Sequence, residues 1–462
     1  MYKSPYASEY QHIMKKDNKC QEKAFEFCEG YKTFMNSSKT ERECVNTIID
    51  KAKKNGYVEF DKNNSKLTAG AKYYVNNRGK AVILLTVGKE KIDKGINFVI
   101  SHIDSPRIDL KPNPLYEADE ISYFKTHYYG GIKKYQWPTV PLSMHGRIFI
   151  EDGSFIDISV GDKENDPKFI ITDLLPHLAH EQDKRTLKEG IKGEELNVVI
   201  GSIPFIDGDE EIKNAVKENT LKILNSNYGI KEKDFARAEI EFVPANNACD
   251  IGFDKSMIAA YGQDDKVCAY PALIAELENI DPTLTSIAVF TDKEEIGSEG
   301  NTGMVSNYLF DFVEDLADIE IVKARDCYKK SICLSSDVNS AYDPTFSDVF
   351  EKMNSSYINK GVVLTKYTGH AGKSGSNDAS AETMAKVIGL MDAKNVVWQI
   401  GELGKVDIGG GGTIAKYVSQ RNVDTIDVGV AVLSMHSPYE LTSKLDIYHT
   451  YLAYKAFLLN KN

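Results

Sequence analysis

The sequence predicts an α/β protein: a mostly parallel sheet with helices on both faces, interrupted by an inserted β-rich domain. Three observations predict it. Apolar, β-branched runs of strand length alternate with stretches of helical periodicity, the pattern of strands joined by crossover helices. After Pro106 the texture changes to short alternating stretches punctuated by Gly, Pro and Tyr, and the earlier alternation resumes near residue 250. A chain of 462 residues is also too long for one ordinary core. These observations set residues 1–105 and 250–462 as one discontinuous domain and 106–249 as the insertion.

The elements follow in order. AFEFCEGYKTFMN (24–36) spaces its apolar residues as a helix does. A second helix runs through SKTERECVNTIIDKAKKNG (38–56), with Ser38 or Thr40 as its cap and Gly56 as its stop. AVILLTVG (81–88) and INFVISH (96–102) are nearly continuous apolar runs, as strands buried on both faces are. The insertion carries HYYGGIKKYQWPTVPL, HGRIFIEDGSFIDISVG and ELNVVIGSIPF, short strands between turn residues, and one charged helical piece at 207–229. The α/β pattern then returns with a helix at 264–280, a strand at 286–292, a helix at 306–319 and a strand at 330–337. A helix at 380–395, the run VVWQIGEL (396–403), a strand at 426–436 and a closing helix at 443–460 complete it.

Composition excludes several functions. A net charge of −12 repels polyanions, so neither nucleic acid nor an anionic membrane is an expected partner. The longest apolar runs are far short of the ~20 residues a membrane span needs. Seven cysteines, an odd number with no CxxC pair, form neither a disulfide framework nor a thiolate zinc site and suit a reducing cytosol. The leading segment MYKSPYASEYQHIMKKDNK has no apolar run of a secretory leader, so a cytoplasmic location is expected.

Chemistry is carried by acidic and histidine clusters placed at strand ends or loop–helix junctions. These are SHIDSP (101–106), YGQDDKV (261–267), FTDKEEIGSEG (290–300), LSSDVNSAYDP (334–344) and LSMHSPYE (433–440). Open α/β sheets bind ligands outside the carboxyl ends of their strands, so the placement matters. His102 and Asp104 are two apart at a strand end, which puts them on one side and lets one bind a metal while the other orients a neighbour. Asp264 and Asp265 precede a helix, where one Asp serves as a cap and two exceed that need. Glu294 and Glu295 are costly to bury together without a cation. Given one, either can ligate while the other takes a proton from water. Asp337 and His436 each close a predicted strand. The set is rich in oxygen, holds two His and no thiolate, and fits zinc, with manganese or cobalt tolerated.

Other motifs carry less. HAGKSGS (370–376) lacks the leading Gly of a phosphate loop, since Tyr367 stands there. In GGGGT (409–413), Gly410 and Gly411 let backbone approach a ligand, or simply turn the chain. No G-x-S-x-G elbow supports serine chemistry.

At these clusters the chain resembles the aspartyl aminopeptidase (aminopeptidase I) family, in its bacterial branch. The carrying segments are SHIDSPRIDLKPNPLYE, KTHYYGGIKKYQW, LLPHLA, YGQDDKVCAYPAL, TDKEEIGSEGNTG, SSDVNSAYDP, KSGSNDASAE, WQIGELGKVDIGGGGTIAKY and MHSPYEL, in the family's order across most of the chain. The resemblance implies a metalloaminopeptidase that removes N-terminal residues from short peptides at a site of two zinc ions per subunit. His102, Asp264 and Asp337 would hold one ion, and Asp264, Glu295 and His436 the other. Asp104 would orient His102, and Glu294 would be the general base. It also implies a three-layer α/β/α catalytic domain, an inserted dimerisation domain and a tetrahedral dodecamer. Relatives supply a His from the neighbouring subunit just after Pro-His-Leu-Ala; here the register is off by one, and His177 or His180 would fill that role. A preference for acidic side chains would need a pocket cation, for which Lys366 and Lys373 are candidates. Two other classes use the same features. One is a dizinc carboxypeptidase or amide deacylase on a related fold; the other is a non-catalytic assembly or cargo protein, which would be expected to have lost Glu294 or a ligand.

Overall fold

The computed structural model describes residues 9–208 and 212–460. The start of the leading segment (1–8) and part of the predicted helical piece (209–211) lie outside these residues. The chain divides into two compact units. One comprises residues 1–104, 248–435 and 440–462, the other 105–247 and 436–439.

The first unit is built on a nine-stranded sheet. Its order is Val58–Glu59, Lys72–Asn77, Ala81–Thr86, Thr285–Thr291, Ile96–His102, Ile332–Ser335, Asp424–Gly429, Val362–Thr365, Trp398–Ile400. The four strands from Thr285–Thr291 to Asp424–Gly429 run parallel, while Ala81–Thr86 and Val362–Thr365 pair antiparallel to their central neighbours. Every residue of Ala81–Thr86, Ile96–His102 and Thr285–Thr291 is buried, which explains their continuous apolar text. Successive residues face opposite sides. Val82, Leu84, Val99, Ala288, Phe290 and Leu334 pack into one core with the helices Cys20–Asn36, Glu41–Lys54, Gln263–Leu277 and Lys444–Leu458. Ile83, Leu85, Phe98, Ile100, Ile287, Val289 and Cys333 pack into another with Tyr308–Glu320. Two apolar layers on one sheet make the three-layer α/β/α arrangement.

Local rules explain the helix ends. Glu41–Lys54 opens on a capping box, with the Thr40 hydroxyl accepting from Glu43 N–H and the Glu43 carboxylate accepting from Thr40 N–H. It stops at Asn55, and Gly56 follows with φ +85°. Gln263–Leu277 does not start as the sequence suggests. Gly262 takes the left-handed region, and Asp264 and Asp265 hold non-helical dihedrals (ψ 107° and 22°), so the regular turns begin only after the two acids.

One predicted strand is corrected. The run 426–436 breaks after Gly429. Ala431–Val432 pairs with Asn339–Ser340 in a separate two-stranded sheet, and Leu433 bridges Leu441. Ser434 and His436 take positive φ (56° and 62°), which no strand allows.

The second unit is a seven-stranded antiparallel sheet. Its order is Phe155–Val160, Leu142–Phe149, Ala238–Pro244, Arg107–Ala118, Ile121–Tyr129, Val198–Gly201, Ile170–Ile171. The helix Ala215–Tyr228 packs on it and ends at Gly229, again left-handed. Residues 436–439 belong to this unit, a grouping that no local feature of MHSPYEL foretells.

Candidate metal centre

Parallel register brings the first ligand-type residues together. His102 is the last residue of its strand and lies opposite Thr291, the last of its neighbour. Asp292 and the turn Glu294–Ile296 therefore emerge beside His102, while Asp337 follows the end of Ile332–Ser335 on the other side. Asp264 and Asp265 come from a different direction, the start of the helix after Met257–Ala260. The five sequence clusters thus do not share one sheet edge. Those of His102, Glu294 and Asp337 do.

Two groups of three donors form, and both contain His102. Its partners are Asp264 and Glu295 in one and Asp265 and Asp337 in the other, with ligand atoms in each group within 4.8 Å of one another. His102 Nε2 lies 3.1 Å from Asp264 Oδ1 and 3.9 Å from both Glu294 Oε2 and Asp337 Oδ1. Nδ1 is 3.0 Å from the Asp104 carbonyl oxygen, to which it donates. That bond leaves Nε2 facing the carboxylates, where a metal would take the place of its proton. Asp104 does more than orient the ring. Its carboxylate, 3.4 Å from Nδ1, accepts from Glu294 N–H at 3.1 Å and Glu295 N–H at 3.2 Å.

The electrostatics call for a cation. His102, Asp264 and Asp265 are sealed from solvent. Neither Asp265 oxygen accepts a hydrogen bond of good geometry. Burial drives the Asp265 carboxyl well above the usual range, Asp264 adds to the rise, and His102 opposes it. Asp337 is raised by burial and then by Asp265. For His102 burial opposes the charge, but Asp104 and Asp264 outweigh it and hold the imidazole well above its ordinary value. Packed carboxylates sharing one proton-hungry imidazole are a high-energy arrangement that divalent metal relieves. The donors, carboxylate oxygens and an imidazole nitrogen, fit zinc.

The remaining predicted residues are in neither of these groups. His436 is in the second unit, and its Nδ1–H donates to the Gly131 carbonyl at 2.8 Å, so its Nε2 presents a lone pair. His177, in the turn Pro176–Leu178, and His180 are exposed. Lys366 and Lys373 both pair with Asp378, and Lys373 lies 3.7 Å from the Tyr367 ring centroid. Their charge is thus already met. Gly410 has φ +124°, and a Cβ there would fall 1.9 Å from Gly369 O. Gly411 O accepts from Gly369 N–H. The glycine run serves close packing of two backbones.

A third group, Asp17, Cys20 and His449, also gathers ligand atoms. It fails the test that His102 and His436 pass. Val397 N–H donates to His449 Nδ1, so the ring proton sits on Nε2, the nitrogen a metal would need. Burial pushes this imidazole down to about 4, keeping it neutral.

A family model described as aminopeptidase I zinc metalloprotease (M18) matches residues 34–458. The chain belongs to this family. A relative from Clostridium acetobutylicum, named as a probable M18 family aminopeptidase 1, is 48% identical over 453 residues, covering 96% of this chain and 97% of its own. The crystal structure of an M18-family aminopeptidase from Thermotoga maritima superposes with a TM-score of 0.93 at 43% identity, covering 98% and 99% of the two chains. The S. cerevisiae mApe1 dodecamer, 23% identical with a TM-score of 0.74 over 95% and 96%, shows the fold alone. The enzyme is therefore a zinc-dependent aminopeptidase, a hydrolase. Its family membership selects against the carboxypeptidase, deacylase and non-catalytic alternatives.

Two residues near the centre escaped sequence reasoning. Asp265, in the sequence only one of two acids before a helix, contributes its carboxylate to a donor group. Glu440 is buried, and its carboxylate accepts from Asp264 N–H at 3.0 Å while its carbonyl accepts from Gln263 Nε2. The signal was an acid opening the strand Glu440–Ser443 within the quoted MHSPYEL, adjacent in space to a helix start that sequence cannot place.

Proposed function

We propose that the enzyme removes N-terminal residues from short peptides with two zinc ions per subunit and Glu294 as general base. The observation that carries this reading is the cluster of carboxylates around His102 Nε2, with Asp264 at 3.1 Å, Asp337 at 3.9 Å and Glu295 in the same donor group as Asp264, and with Glu294 beside them but in no donor group among the described residues. The ligands would be His102, Asp264 and Asp337 for one ion, and Asp264, Glu295 and His436 for the other, His436 entering on the family resemblance. Bound zinc would polarise the scissile carbonyl and acidify water. Glu294 keeps some solvent access, as Glu295 and Asp337 do, and a group exchanging protons with water needs it. It takes the proton of the attacking water and delivers it to the leaving amine. Asp104 holds the backbone of the Glu pair and the His102 ring in one register.

The same reading includes assembly through the second unit into a dodecamer, with His177 or His180 reaching a neighbouring subunit. A dodecameric fold relative and the exposed Leu174, Leu175 and Leu178 beside His177 support it. Seven free cysteines support a reducing cytoplasm, and no helix among the described residues is long and apolar enough to cross a membrane.

Glu294→Gln tests the base. Turnover of an aminoacyl substrate should fall by roughly 10²–10⁴-fold while bound zinc, read by elemental analysis, stays unchanged. Persistent turnover would remove Glu294 from this role.

A further inference from the structure

The loop that carries Glu294 and Glu295 is closed at its base by a pair the mechanism does not use. Asp292 is buried and follows directly on Thr291, the strand-end partner of His102. Its Oδ2 accepts from the Thr302 hydroxyl at 2.7 Å, and its Oδ1 accepts from Lys293 N–H at 2.8 Å. Asp292 N–H and the Thr291 hydroxyl both donate to Thr302 O, at 3.3 and 3.1 Å. Thr302 thus joins both ends of the loop through its backbone and its side chain.

Inside this closure the chain turns sharply. Lys293, Gly297, Ser298 and Gly300 take φ of 66°, 91°, 60° and 89°. Ser298 N–H donates to Lys293 O at 2.7 Å, and Gly303 comes so close to Ser298 that a Cβ would lie 2.2 Å from its carbonyl oxygen. Two of these, Lys293 and Ser298, are not glycine, and a left-handed residue with a side chain is costly unless the surroundings over-determine it. Asp104 fixes one side of the turn through the Glu294 and Glu295 amides, and the Asp292–Thr302 pair fixes the other.

We propose that Thr302, through Asp292, is a positioning residue that sets where the Glu294 carboxylate stands relative to the metal centre. It touches neither substrate nor metal. The proposal rests on Glu294 being the general base. A small displacement of a catalytic group is enough to cost as much as ~10²-fold in rate.

The test compares Thr302→Val, which keeps the shape and loses the hydroxyl, with Thr302→Ser, which keeps the hydroxyl. Both are assayed as the full chain loaded with zinc, with thermal midpoint and zinc content measured alongside. Thr302→Val should lose about 10- to 100-fold in kcat with KM nearly unchanged, zinc retained and the acid limb of its pH–rate profile displaced. Thr302→Ser should restore kcat and the profile. Equal kcat and an unmoved profile in both variants would overturn the proposal, as would equal losses in both that track a fall in thermal midpoint. Glu294→Gln in the same assay separates the two claims: if it turns over normally the base assignment fails, whatever Thr302→Val does.

Discussion

At the scale of single residues, the tautomer of each histidine divides the candidates. His102 and His436 each donate Nδ1–H to a carbonyl, from Asp104 and Gly131, which leaves Nε2 as the nitrogen a metal can take. His449 accepts at Nδ1 and presents a proton. All three read alike in sequence, because imidazole protonation is set by whichever group the fold brings to the other nitrogen. His436→Ala should lower bound zinc from two ions to one per chain without a matching loss of fold, measured by elemental analysis and far-UV circular dichroism. Two ions retained would strike His436 from the ligand set. As candidates, His102, Asp264, Glu295 and Asp337 were legible from residue type and from their place at a strand end or before a helix. The part played by Glu440 was not, since its bond to Asp264 N–H spans 176 residues.

At the scale of elements, the helix Gln263–Leu277 links the centre to the sheet. Its first turn supplies Asp264 and Asp265, and its far end buries Glu276. The Glu276 carboxylate accepts from Thr86 Oγ1 at 2.6 Å, Ser286 Oγ at 2.8 Å and the Tyr57 hydroxyl at 3.2 Å, all on neighbouring elements. Burial nevertheless pushes its carboxyl up to about 7 against the lowering effect of those hydroxyls. A carboxyl raised in the folded state binds its proton more tightly there than when unfolded. Its contribution is therefore complete below the unfolded value near 4.5 and is lost as pH rises through about 7. Glu276→Gln removes that slope. Wild type should lose on the order of 3 kcal/mol relative to the variant between acid and mildly alkaline pH, read from urea midpoints at matched pH. A difference constant with pH would show that Glu276 does not titrate in this range. The helix itself was legible from DDKVCAYPALIAELENI. Its true start was not, because two acids before a helix look like caps until the chain is seen to turn at Gly262.

At the scale of the whole molecule, the proposed assembly would cover exposed apolar residues of the second unit such as Leu174, Leu175 and Leu178, against the mutual repulsion of chains that each carry a net charge of −12. Twelve chains of 51.6 kDa would form a particle of roughly 620 kDa. Light scattering coupled to size exclusion should find that mass, and a monomer or dimer active on peptides would refute the assembly.

The sequence by itself determined the fold class, and it raised the expectation of an interruption after residue 105 and of a centre built from carboxylate and imidazole. Burial on both sheet faces forces continuous apolar strands, a change of architecture changes the spacing of Gly and Pro, and metal chemistry demands carboxylate and imidazole. Only the tertiary structure decided which donors meet, because that depends on parallel register: His102 opposite Thr291, and Ile332–Ser335 beside Ile100. It also broke the predicted strand before His436 and put Asp265 in a donor group, since both follow from long-range packing that leaves no local mark on the text.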